Sequence, residues 1–187
     1  IAISFGCIAF LTMGNLIGPI LFTFGLITVV HYKLFLYTGS VGFFELLGFN
    51  KTISNNWKTI LIIILGNIIG CLVVALLASY GGFTFTILAN DVVQSRLAQP
   101  IVSVVIRAMG CGLIISPAVQ FASEGNFLPL LFGVPLFIYC GFYHSIADTF
   151  YYLFSNLKPT FIMVYTLFMT YFGNYLGCSA YKLFLKK

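Results

Sequence analysis

The chain has 187 residues, of which 60% are hydrophobic and only 7% carry a charge. Soluble domains carry about 25% charged residues to keep their surfaces hydrated, so the composition excludes a soluble domain and indicates an integral membrane protein. The length accommodates about six spans of about 20 residues each, which predicts a single transmembrane domain over residues 1–187. The net charge of +5 is spread along the chain, so a basic nucleic-acid-binding surface is also excluded.

Two of the apolar segments are too long for one upright helix. The segments cover residues 1–13, 16–48, 59–80, 99–122, 127–155 and 159–182. The first is too short to cross a bilayer, so we expect the natural N-terminus to lie upstream. The second and fifth contain polar, glycine-containing stretches, Lys33–Ser40 and Cys140–Ser145. We predict a broken helix at each, because non-helical backbone at membrane depth is tolerated only where protein or a water-lined cavity satisfies it.

A repeated motif relates the two halves of the chain. Gly66-Asn67-Ile68-Ile69-Gly70 in the third segment matches Gly173-Asn174-Tyr175-Leu176-Gly177 in the sixth. Thr38 lies 28 residues before the first motif and His144 lies 29 before the second. The spacing predicts two three-span halves, at about residues 1–80 and 99–182. Because three is odd, the second half is inverted, and such repeats place the functional site near the midplane at their interface.

Basic residues in the loops predict the orientation. Under six spans, Arg96 and Lys158 face one side of the membrane, and a larger group of lysines faces the other. That group is Lys51, Lys58, Lys182, Lys186 and Lys187. The side richer in lysine and arginine is normally cytoplasmic. We therefore predict a multi-pass protein of the plasma (inner) membrane with both termini in the cytoplasm.

His144 is the first candidate for a functional residue. An ionisable side chain at membrane depth is costly and by default marks a substrate or proton pathway. Histidine suits proton transfer, because its proton equilibrium lies near physiological pH. The alternative is a neutral histidine hydrogen-bonded between helices. The predicted position of His144 opposite Thr38 in the repeat favours the functional interpretation.

Several motifs resemble those of the formate/nitrite transporter family. They are Phe22–Leu26 (FTFGL) with Leu36–Ser40 (LYTGS), GFYHSIAD at residues 141–148, Asn55-Asn56-Trp57, and the two GNxxG motifs. The resemblance implies an all-α, aquaporin-like protomer of six spans built from an inverted three-helix repeat. It also implies a homopentamer with one pore per subunit, and passage of small monovalent anions such as formate, nitrite or hydrosulfide.

The same resemblance implies roles for individual residues. His144 corresponds to the central pore histidine, with Thr38 and Asn174 as its polar neighbours. Arg96 falls where the family has a lysine at the outer vestibule, so we expect it to attract anions. The hydrophobic constrictions on either side of the centre correspond to Phe22, Leu26, Leu36, Tyr37 and Phe137. Ordinary interhelical or lipid-facing packing is the alternative for these leucine and aromatic positions.

A proton-linked mechanism fits these assignments. Moving a bare anion into a medium of low dielectric costs on the order of 20 kcal/mol in the idealised limit, so a narrow apolar pore should block it. An anion that is protonated in the centre can cross the constriction as a neutral acid and lose its proton beyond it. We hypothesise that His144 supplies or stabilises that proton.

The chain departs from the family pattern at several positions. Acids usual in the family are replaced by Phe35 and Tyr143, a glycine by Lys33, and an asparagine by Asp148. A charge at a helix centre costs about 2.5 to 3.5 kcal/mol even on the lenient insertion scale, so it needs a partner. We therefore predict that Asp148 lies near Lys33 or Arg107.

Other functions remain as alternatives. The closest is a hydrosulfide channel of the same family; a neutral-solute channel would be expected to carry paired Asn-Pro-Ala motifs, which are absent. An intramembrane enzyme would use His144 and Asp148 as an acid–base pair, but no nucleophile or metal site has a recognisable spacing. We predict no enzyme activity, no cofactor and no metal. The five cysteines, Cys7, Cys71, Cys111, Cys140 and Cys178, are expected to be buried packing residues.

Overall fold

A computed structural model describes residues 1–41 and 57–184. Within these ranges the regular structure is helical, which confirms the all-α class. The helices are α1 Ala2–His31, α2 Tyr37–Ser40, α3 Trp57–Tyr80, α4 Thr86–Leu97, α5 Ile101–Ser123, α6 Leu128–Tyr139, α7 Ser145–Phe154 and α8 Phe161–Phe184. Some residues used for the orientation and family arguments lie outside the described part. They are Lys51, Asn55, Asn56, Lys186 and Lys187, together with the side chains of Trp57 and Lys182.

Two of the described helices have the length and composition that a membrane span requires. Lys58–Tyr80 and Ile101–Ser123 are each long and apolar enough to span a membrane, and three apolar helices are shorter. Those three are Ala2–Gly14, Leu16–His31 and Leu128–Tyr139. Large apolar side chains cover the outside of the protomer, where lipid or a neighbouring subunit can solvate them.

The helix α1 is a hairpin rather than one rod. Gly14 leaves the helical conformation (φ 65°, ψ −166°) and reverses the chain. Across this turn, Gly6 before it approaches the backbone of Phe22, and Gly18 after it approaches the backbone of Phe10. These pairings place the two limbs antiparallel, and their small residues allow the backbones to come close.

The predicted breaks in the second and fifth spans are present. The first separates α1 from α2 over residues 32–36, and the second separates α6 from α7 over residues 140–144. The first is shorter than predicted, because Tyr37–Ser40 is already helical. The segment 81–98 was expected to be only a loop, but it contains α4, which packs against α7 and α8. Four of the cysteines are buried, whereas Cys140 is exposed at the end of α6, contrary to the prediction.

The GNxxG motif of α8 packs tightly on α5. A Cβ on Gly173 would lie 2.6 Å from the carbonyl oxygen of Val105, and one on Gly177 would collide with the carbonyl oxygen of Met109. By contrast, a Cβ on Gly66, in the matching motif of α3, would meet no atom within 4 Å.

We expect Gly177→Ala to lower the free energy of unfolding by about 1 to 3 kcal/mol, because backbone atoms cannot yield to the added methyl group as a flexible side chain can. Gly66→Ala, in the motif of α3, is the control and should be neutral or stabilising, because alanine is the better helix former and the added methyl group meets no atom within 4 Å. Unfolding by SDS in mixed micelles measures both. Equal losses in the two variants would contradict the close α5–α8 contact.

Candidate functional site

The two breaks share one backbone geometry. Lys33 (φ 51°) and Gly141 (φ 67°) both adopt the left-handed conformation just after a helix end. Three residues later, Leu36 (φ −113°, ψ 132°) and His144 (φ −107°, ψ 113°) are the extended N-caps of the next helices. The repeat therefore equates Leu36 with His144. The predicted correspondence of Thr38 with His144 is wrong by two residues.

This equivalence makes Lys33 a lysine in a position built for glycine. A residue with a Cβ pays about 1 to 2 kcal/mol in the left-handed region. We expect Lys33→Gly to raise the free energy of unfolding by about 1 kcal/mol, and Gly141→Ala at the equivalent position to lower it. SDS unfolding of both variants tests this prediction. A loss of stability in Lys33→Gly would show that its side-chain contacts outweigh the strain.

Asn174 secures the second break. Its side-chain oxygen accepts a hydrogen bond from the N–H of Ser145 at 2.7 Å. Its amide group donates to the carbonyl oxygens of Tyr143 and Ala108, each at 2.8 Å. Asn174 is fully buried. It thus satisfies the backbone on both sides of His144, as non-helical chain at membrane depth requires.

Asn67 does the same for the first break. Its side-chain oxygen accepts from the N–H of Tyr37 at 3.0 Å, and its amide donates to the carbonyl oxygen of Phe35 at 2.9 Å. Asn67 and Asn174 therefore hold the peptide groups around an N-cap in the same way. This common role accounts for the matching motifs at residues 66–70 and 173–177; residues 14–18 (GNLIG) also fit the pattern but lie at the kink of α1.

His144 is buried at 2% exposure and makes two hydrogen bonds through its ring. Nδ1 accepts from the N–H of Ala147 at 3.2 Å, which caps α7. Because Nδ1 is an acceptor, the ring proton of the neutral imidazole is assigned to Nε2. Nε2 lies 2.9 Å from Oγ1 of Thr38 and donates to it. The predicted neighbour Thr38 thus touches the imidazole, whereas Asn174 acts on the backbone beside it.

Two aromatic rings enclose the imidazole. Phe137 stacks on it with ring centroids 6.0 Å apart, and Phe22 meets it edge-on at 6.5 Å. Phe22 and Phe137 also contact each other at 6.1 Å. The hydrogen-bonded pair of His144 and Thr38 therefore has apolar aromatic side chains, Phe22 and Phe137, packed against its imidazole ring.

Cavities open on both breaks. The cavity on the second break has a volume of about 130 Å³ and is called the histidine cavity; its lining includes Arg96, Phe22, Phe137, His144 and Asp148. One cavity on the first break, of about 380 Å³, is called the lysine cavity; its lining includes Leu26, Lys33 and Leu36. Another cavity on the first break, of about 370 Å³, is lined in part by Phe35 and Asn67.

The lysine and histidine cavities are lined by equivalent positions of the two halves. Residues 29, 30, 33, 34 and 36 line the lysine cavity. Their equivalents, residues 137, 138, 141, 142 and 144, line the histidine cavity. Among the predicted constriction residues, Tyr37 lines neither cavity: its hydroxyl donates to the carbonyl oxygen of Tyr171 at 3.0 Å.

The charged residues pair differently from the prediction. Asp148 forms an ion pair with Arg96 of α4, with 3.4 Å between Oδ1 and Nε. Its predicted partners were Lys33 and Arg107, and this prediction is wrong. Arg107 donates instead to the carbonyl oxygen of Gly141 at 3.3 Å. Lys33 is exposed at the lysine cavity.

Tyr143 joins the two arginines. The guanidinium of Arg96 lies 4.2 Å from the centre of its ring, and that of Arg107 lies 5.6 Å away. An aromatic face attracts cations, so Tyr143 partly takes the place of a carboxylate here. Among the described residues, no cluster of histidine, cysteine, aspartate and glutamate could hold a metal ion.

Comparison with known proteins agrees with this geometry. The family model described as "Formate/nitrite transporter" matches residues 1–185. A pentameric formate channel with formate bound superposes with a TM-score of 0.79 at 18% identity, covering 100% of this chain and 93% of that one. An ion channel of the FNT family superposes with a TM-score of 0.81 at 24% identity, covering 100% and 86%. A search of curated protein sequences gave no significant match. The chain belongs to the formate/nitrite transporter family and is a transport protein rather than an enzyme.

Proposed function

We propose that the chain forms a homopentameric channel for small monovalent weak-acid anions, formate or nitrite, with one pore in each subunit. The observation that carries the proposal is the pair of cavities lined by equivalent positions of the two halves, and the odd number of spans in each half predicts that the halves are inverted. In an inverted repeat such cavities open towards opposite sides of the membrane. Between them lie the two N-caps, Leu36 and His144.

The predicted orientation assigns each cavity to one side of the membrane. The halves at about 1–80 and 99–182 form one channel domain with both termini in the cytoplasm. Arg96 lies on the predicted outer side and lines the histidine cavity, so that cavity faces outwards. The lysine cavity then faces the cytoplasm. Lys33 places a cation at the lysine cavity, the Arg96–Asp148 ion pair lies at the histidine cavity, and the apolar residues Phe22, Leu26 and Phe137 lie between.

A substrate must cross the apolar section formed by Phe22, Leu26 and Phe137 without a charge. A bare anion would forfeit its hydration there, at a cost on the order of 20 kcal/mol in the idealised limit. A proton bound by His144 can move from Nε2 to Oγ1 of Thr38 while the Thr38 hydroxyl passes its own proton to a substrate oxygen. The imidazolium becomes a neutral imidazole that keeps its proton on Nδ1, and the anion becomes a neutral acid; the described Nε2–H form returns once that Nδ1 proton has left and Nε2 has been reprotonated. The acid releases its proton again on the far side.

The described state corresponds to the neutral histidine. A second proton must bind Nδ1, which now accepts from Ala147, so loading the histidine breaks the cap of α7. Protonation is thereby coupled to the end of the helix that lines the histidine cavity.

Flux measurements in proteoliposomes test the proposed function. Formate, nitrite, hydrosulfide and glycerol are each offered to the same preparation, with empty liposomes as the control. We expect rapid uptake of formate and nitrite and none of glycerol. Uptake of hydrosulfide alone would reassign the substrate within the family. Uptake of glycerol without any anion would overturn the proposal.

A further inference from the structure

We infer that Arg96 and Asp148 form a binding site in the histidine cavity for the neutral form of a small oxyacid, a carboxylic acid or nitrous acid. The inference rests on the proposed function, because it names the protonation state in which the substrate is held beside His144. It concerns a carboxylate that stands where the family pattern has an asparagine.

Asp148 supplies the acceptor. It lies one helical turn after His144 on α7, is 1% exposed and lines the histidine cavity. Its Oδ1 faces Arg96, but Oδ2 is buried and has no hydrogen-bond partner among the described residues. A buried carboxylate oxygen without a donor is costly. A ligand in the cavity that carries an O–H group would remove that cost.

Arg96 supplies the donors. Its Nε faces Oδ1 of Asp148, and its Nη1 donates to Oγ of Ser95 at 3.1 Å. A guanidinium carries more N–H groups than these contacts use. Arg96 also lines the cavity, and its guanidinium lies over the ring of Tyr143, 4.2 Å from the ring centre. Donors and an acceptor therefore stand side by side at one wall.

A neutral oxyacid matches this pattern. Its X=O oxygen accepts from Arg96 while its O–H donates to Oδ2 of Asp148. The corresponding anion has no proton to donate, so one of its oxygens would face the carboxylate and be repelled. The opposite charges of the two side chains also cancel, which leaves little net attraction for an anion. The cavity of about 130 Å³ suits a molecule of a few heavy atoms, since one water molecule takes about 30 Å³ in the liquid.

Two probes separate these cases by calorimetric titration of the purified, detergent-solubilised protein. Formamide is a neutral analogue of formic acid, with a carbonyl oxygen and an N–H donor. Nitrate is a planar anion that stays ionised. We expect the unmodified protein to bind formamide roughly tenfold more tightly than nitrate. Asp148→Asn should reverse this preference, because the charge of Arg96 is then uncompensated.

The control is Asp91→Asn, which removes an exposed acid from the helix that carries Arg96. It should leave both affinities unchanged. Arg96→Gln combined with Asp148→Asn removes both charges and should bind neither probe tightly. Should Asp148→Asn not fold, the comparison of the two probes on the unmodified protein still decides. Equal or stronger binding of nitrate there, or the same response to Asp148→Asn and Asp91→Asn, overturns the inference. Absence of anion flux in liposomes would refute the proposed function and leave this binding result standing.

Discussion

Replacing Asn174 by alanine is expected to cost about 3 to 5 kcal/mol of unfolding free energy and to abolish transport. The substitution leaves two buried backbone groups without partners, the N–H of Ser145 and the carbonyl oxygen of Tyr143, and removes a second hydrogen bond from the carbonyl oxygen of Ala108, which lies within α5. Each unsatisfied buried group costs about 1 to 3 kcal/mol, and little water is present at membrane depth to replace the amide. The groups released lie on both sides of His144, so its position is lost with them.

Asn67→Ala is the matched control for this prediction, because Asn67 holds the first break in the same way. It makes two such bonds instead of three and is only partly buried. We expect a loss of about 1 to 2 kcal/mol. Unfolding by SDS in mixed micelles gives both values, and formate uptake gives the functional effect. If the two variants lost equal stability, burial and the third hydrogen bond would not set the cost.

The breaks could be predicted from the sequence, but the residues that secure them could not. The polar stretches within overlong apolar segments located the non-helical backbone, and the repeated GNxxG motif indicated the two halves. The role of Asn67 and Asn174 in holding the broken backbone emerges only from their hydrogen bonds. The polar stretches and the motif are visible because a bilayer leaves few places for polar residues. His144 was found for the same reason.

The register between the halves could not be predicted. The predicted register compared the number of residues from Thr38 to Gly66 with the number from His144 to Gly173, and these two connections need not have the same length. The hydrogen bonds of Asn67 and Asn174 instead identify the equivalent residues directly. The partner of Asp148 was missed because it lies on α4. That helix begins after Gly81-Gly82 and ends before Pro100, and its mixture of polar and apolar residues was interpreted as a loop between spans. Arg96 and Asp148 are 52 residues apart in the sequence, so their ion pair becomes visible only when α4 is packed against α7.

Replacing His144 by asparagine is expected to lower formate flux by about 100-fold or more, since positioned proton transfer is typically worth that much. Asparagine is a good N-cap, so its side-chain oxygen can still accept from Ala147 and preserve α7. It cannot carry a proton. The stability of the variant should therefore stay within about 1 kcal/mol of the original value, while the proton pathway is lost.

The pH dependence distinguishes a proton carrier from a merely polar pore residue. The concentration of neutral formic acid itself changes with pH, so the informative quantity is the flux of His144→Asn divided by that of the unmodified protein at each pH. If His144 delivers the proton, this ratio varies with pH, because only the unmodified protein has an imidazole at position 144. Asp148 is present in both proteins. Thr38→Val is the companion variant: it keeps the imidazole but removes the hydroxyl that accepts from Nε2, so its flux should fall while its ratio stays nearly constant with pH. A ratio for His144→Asn that does not change with pH would mean that the proton reaches the substrate without the histidine.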